Sequence, residues 1–83
     1  MRERSTGDVT GSFDFEWDAG DMGCGELLIK LRKQLRAMPG KVIKLVARDP
    51  GAIVDIPSYC RITGHTLLRS APDTGIFWIR AKD

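Results

Sequence analysis

The hydrophobic pattern of this chain switches between two periods. "SFDFEWDAG" (12–20) alternates Phe13, Phe15 and Trp17 with Asp14, Glu16 and Asp18, the period-2 signature of a strand with one apolar and one acidic face. "CGELLIKLRKQLRAMPG" follows. At 100° per residue Leu27, Leu28, Leu31, Leu35 and Met38 share one arc, which predicts an amphipathic helix. Lys30, Arg32, Lys33 and Arg36 take the other side, and Pro39-Gly40 ends the run. Ile29 is the exception, an apolar residue set among the basic ones.

"KVIKLVAR" is β-branched with apolar residues on both faces, as in an interior strand. Asp49-Pro50 then reads as an N-cap with proline at the first helical position. The helix runs through "AIVDIPSYCRIT" and stops at Gly64, a favoured C-terminal residue. Ala52, Ile53, Ile56, Tyr59, Cys60 and Thr63 form its apolar face, while Ile62 falls outside it. Pro57 is expected to kink this helix or mark a restart. "HTLLRSA" and "GIFWIRAK" are two more strands joined by the turn residues "PDT". The order β-α-β-α-β-β predicts an α/β (α+β) two-layer sandwich, with two helices on one face of a four-stranded mixed sheet. The first two strands should be parallel and the last two antiparallel.

Composition narrows the function class. The 83 residues are 42% hydrophobic and 29% charged, as expected of a single small domain over 13–83 preceded by a flexible tail over 1–12. No apolar run is long enough to span a membrane, and "MRERSTGDVTGS" has no apolar core of a secretory signal. Two cysteines fit neither a zinc-ligand spacing nor a disulfide scaffold, so both are expected as reduced thiols in the cytoplasm. The charge is uneven: two basic residues face six acidic ones before position 24, and eleven face five after it. An anionic partner, protein or nucleic acid, is compatible with that asymmetry.

The cysteines differ. Cys60 sits on the apolar face of the second helix and is expected to be an inert core thiol. Cys24 stands where the first strand's connection becomes the first helix, between Gly23 and Gly25, which leave it sterically open. Free N–H groups and the helix dipole there favour an anion, so its thiolate is expected to have a lowered pKa and to be reactive. The other reading of Cys24 is a helix cap, a role Ser or Asp performs better.

"GCGELLIKLRKQLRAMPG" with "ARDPGAIVDIPSYCRITGHTLL" resembles the TusA/SirA-like sulfur-carrier proteins. The matching positions are Cys24, Leu31-Arg32-Lys33, Pro39-Gly40, Asp49-Pro50, Asp55-Ile56-Pro57, Cys60 and Gly64-His65. The chain departs from the family's Cys-Pro-x-Pro motif: Gly25 and Leu27 stand where it has proline, with Glu26 retained between them. The resemblance implies a β-α-β-α-β-β fold and a sulfur carrier. Cys24 would accept sulfane sulfur as a persulfide from a donor such as a cysteine desulfurase and pass it to an acceptor protein. Partner contact is then expected at Gly23, Gly25, Glu26, Ile29, Arg32, Lys33, Asp49 and Ile62, where apolar residues are rimmed by charge.

No metal, cofactor or membrane is expected, and the protein is expected as a monomer. His65, the one histidine, reads as a structural residue rather than a catalytic partner. The alternative function is a non-catalytic binding or regulatory module, with Cys24 as a cap. RNA is the weaker candidate ligand there, because the basic helix lacks the exposed aromatics of an RNA-binding sheet.

Overall fold

The computed structural model describes residues 13–83; the tail expected over 1–12 lies outside them. The element order is β1 (Phe15–Gly20), α1 (Cys24–Arg36), β2 (Val42–Ala47), α2 (Pro50–Thr63), β3 (Thr66–Ala71) and β4 (Ile76–Arg80). The sheet runs β1-β2-β4-β3, so β2 is interior as its apolar composition required. β1 and β2 are parallel, whereas β2/β4 and β3/β4 are antiparallel.

One face of the sheet is covered. Ile43, Leu45, Ala47, Phe77 and Ile79 alternate along β2 and β4 and are each at most 1% exposed. They join Leu27, Leu31 and Leu35 of α1 and Ala52, Ile56 and Cys60 of α2 in a single core. Residues between them, such as Lys44, Val46 and Trp78, face the other way and are only partly covered. At the edge, β1 buries Ala19 and half-buries Trp17, but Phe15 stays 42% exposed. Phe13 precedes the strand instead of belonging to it.

Pro57 does not restart the second helix: α2 is one element from Pro50 to Thr63. A single Pro costs one backbone hydrogen bond, and the buried stripe of Ala52, Ile56 and Cys60 spans the position and holds the helix to the sheet. The expected ends of α2 are in place. Asp49 Oδ2 accepts the Ala52 N–H at 3.0 Å, and Gly64 closes the helix at φ 87°.

One glycine lets the β3–β4 turn close on the end of β2. Gly75, in the β3–β4 turn, has φ 74°, and a Cβ there would collide with the Ala47 carbonyl oxygen. Its own carbonyl accepts the Ala47 N–H at 2.8 Å. The hairpin turn is thereby pressed against the end of β2, two residues before the Asp49 cap.

Candidate functional site

Because β1 and β2 are parallel, the helix that follows each strand starts at the same end of the sheet. The first turn of α1 therefore lies beside the start of α2. Cys24 comes so close that a Cβ on Gly51 would be 3.9 Å from its own. Farther along, the charge of Arg32 acts on the phenol of Tyr59, eight positions on in both helices, so the two run side by side in one direction.

Gly23 is the N-cap of α1, in extended conformation and without a side-chain cap. Leu27 N–H is the first donor bonded within the helix, to the Gly23 carbonyl at 2.9 Å. Cys24 is thus the first helical residue and does not cap the helix, which removes the role the alternative reading assigned to it. Its half-exposed thiol instead donates to Asp55 Oδ2 of α2 at 2.7 Å. On either side, a Cβ at Gly23 or Gly25 would meet nothing within 4 Å. The thiol is open to a partner from those directions.

The expected ionisation of Cys24 is reversed. Its pKa is raised from 9.0, first by the hydrogen bond to Asp55, then by burial, and then by the charges of Asp55 and Asp49. A helix N-terminus amounts to about half a positive charge. A full carboxylate charge in direct contact outweighs it. The hydrogen bond also needs the proton to stay on sulfur, so it favours the neutral thiol.

The remaining expected site residues divide between two places. Gly23, Gly25, Glu26 and Asp49 surround Cys24. Glu26 is exposed and within 4.0 Å of Lys30 one turn on, and Asp49 is committed to the α2 cap. Ile29 is 60% exposed on α1, with Arg32 and Lys33 exposed after it. Ile62 is exposed too, seven residues past Asp55 and about 10 Å along the helix axis from it. Two residues of α2 were not selected from the sequence. Asp55 holds the thiol, and Val54 beside it is 71% exposed.

Other groups stand apart. Cys60 is 1% exposed, and burial pushes its thiol up to about 11. His65 Nδ1 accepts the Lys82 N–H at 3.0 Å while its ring stacks on Tyr59, a structural role. Among the described residues no three His, Cys, Asp or Glu side chains gather as metal ligands would, and no helix is long and apolar enough to cross a membrane.

The chain is similar to known sequences over nearly all of its described length. The family described as "Sulfurtransferase TusA" matches residues 16–81, which include every element of the fold except the first residue of β1. The chain is 35% identical over 77 residues to the sulfur carrier protein TusA of Pseudomonas aeruginosa strain LESB58, covering 89% of this chain and 98% of that one. It is 38% identical over 72 residues to the protein of the same description from Pseudomonas entomophila strain L48, covering 83% and 90%.

Proposed function

Since the chain belongs to the TusA family of sulfur carriers, we propose that its cargo is a sulfane sulfur carried as a persulfide on Cys24. The observation that carries this reading is the placement of Cys24: a half-exposed thiol opening α1, with open space over both flanking glycines. Cys60 has neither access nor ionisation to compete with it.

Loading is an exchange between sulfurs. The Cys24 sulfur attacks the terminal sulfur of a donor hydropersulfide, a new S–S bond forms on Cys24, and the donor's S–S bond breaks. The Cys24 proton ends on the departing donor thiolate, so charge and oxidation state balance across the pair. Unloading repeats the step, with an acceptor thiol attacking the terminal sulfur on Cys24. Donor and acceptor must therefore use the same end of the molecule in turn. Ile29 and Val54, exposed and apolar beside charged residues, are the contact surface in this reading, with Arg32 and Lys33 at its rim.

The test is intact-mass spectrometry after incubation with a cysteine desulfurase and cysteine. One added sulfur atom is expected on the parent protein and on Cys60→Ala, and none on Cys24→Ser. Sulfur addition that survives Cys24→Ser would overturn the assignment.

A further inference from the structure

We infer that Asp55 holds Cys24 as an unreactive thiol in the free protein, and that a sulfur donor releases it by setting a cation against Asp55. This rests on the persulfide reading above and adds to it a condition on the partner. The geometry is specific. Cys24 Sγ donates to Asp55 Oδ2 across the helix pair, over 31 residues of sequence, and that bond exists only while the thiol keeps its proton.

The two charges that act on Cys24 push the same way, toward the neutral thiol. From α2 it faces Asp55 and, at the cap, Asp49. On its own helix Glu26 is two residues on and lies against Lys30. At the ends of β1 and β2, Asp18 and Arg48 pair with each other at 3.0 Å, so that cation is already engaged. Among the described residues no Lys or Arg pairs with Asp55.

Asp49 and Asp55 differ in what a partner can do with them. Asp49 is committed to the Ala52 N–H and is partly covered. Asp55 is exposed, and its bond to Cys24 is its one side-chain partner among the described residues. An arginine or lysine brought beside Asp55 would neutralise it. The carboxylate would no longer oppose a thiolate, and the unbonded N–H groups opening α1 would then favour the anion. The attacking species in sulfur exchange is the thiolate, so docking and activation become one event. A donor lacking that cation meets a protonated sulfur.

The experiment compares the parent protein with Asp55→Asn and Asp55→Ala, folding of each being checked by circular dichroism and urea unfolding. Iodoacetamide alkylation of Cys24 is followed from neutral to alkaline pH. Both variants should alkylate at lower pH than the parent, with the thiolate fraction at neutral pH raised about tenfold, and the rate about threefold, for each unit the midpoint falls. Sulfur loading is then measured with two donors. Glutathione hydropersulfide, a small net-anionic donor, should load the variants faster than the parent. A cysteine desulfurase should give the variants no such gain. Unchanged alkylation midpoints in both variants would overturn the role of Asp55. An equal gain with both donors would overturn the requirement for a partner cation. If neither donor adds sulfur to any form, the persulfide reading fails, while the alkylation midpoints still decide what Asp55 does.

Discussion

Cys60 offers a test of the core that does not depend on function. It is 1% exposed on the buried stripe of α2, and burial lifts its pKa from 9.0 to about 11. Below pH 9.0 the thiol is neutral in both folded and unfolded chains, and the stability linked to this group is fully present. Above it the unfolded chain ionises first, so stability falls until the pH passes the folded value. A two-unit gap corresponds to about 2.7 kcal/mol in full and about 1.4 kcal/mol by about pH 10. Cys60→Ala removes the titration but leaves a small cavity, which costs about 1 kcal/mol at neutral pH. The two effects cross. The variant should be the less stable protein near neutrality, equal to the parent near about pH 10, and more stable at about pH 11. Urea unfolding of both proteins in a thiol reductant measures the difference, and residues that titrate alike in the two proteins cancel from it. A difference that stays constant through this range would show that Cys60 ionises as freely in the folded protein as in the unfolded one, and the buried-thiol argument would be wrong.

Two further substitutions probe the ends of the elements that build the site. Gly75→Ala should destabilise by more than about 2 kcal/mol in urea unfolding, because it adds a Cβ at positive φ against a backbone carbonyl that cannot move aside; a cost below about 0.5 kcal/mol, the level of an ordinary surface change, would refute that packing. Gly25→Ala should raise stability by about 0.5–1 kcal/mol, since residue 25 is helical, outside the positive-φ glycines and free of neighbours within 4 Å. A loss of stability there would mean that the first turn of α1 needs glycine.

The fold was legible because hydrophobic periodicity reports burial, and burial here is regular. Leu27, Leu31 and Leu35 recur at helical spacing, Ile43, Leu45 and Ala47 at strand spacing, and all six face one core. The failures came where local rules met tertiary packing. Pro57 removes one hydrogen bond, but three buried side chains of α2 hold the helix through it. Phe13 continues the aromatic alternation yet lies outside β1, because an edge strand gains little from extending past its partner. Leu27 shows the reverse case. It stands where the resembling family has proline, and its side chain is fully buried. The first turn of α1 is thus fixed by packing instead of by a restricted φ.

The site was legible only in part, for a reason built into such patterns. Helical spacing says which face of α2 is apolar; it does not say which residue of α2 lies opposite Cys24. That follows from strand direction. Two parallel strands, each leading into a helix, bring both helix starts to one end of the sheet, and only then does a carboxylate 31 residues away reach the thiol. The same step reverses the electrostatics. Taken alone, the start of α1 offers Cys24 about half a positive charge; taken with α2, it meets two carboxylates, one of them in contact. The ionisation of Cys24 is therefore set by the helix pair rather than by its own helix, and substitution of Asp55 in α2 is expected to move it.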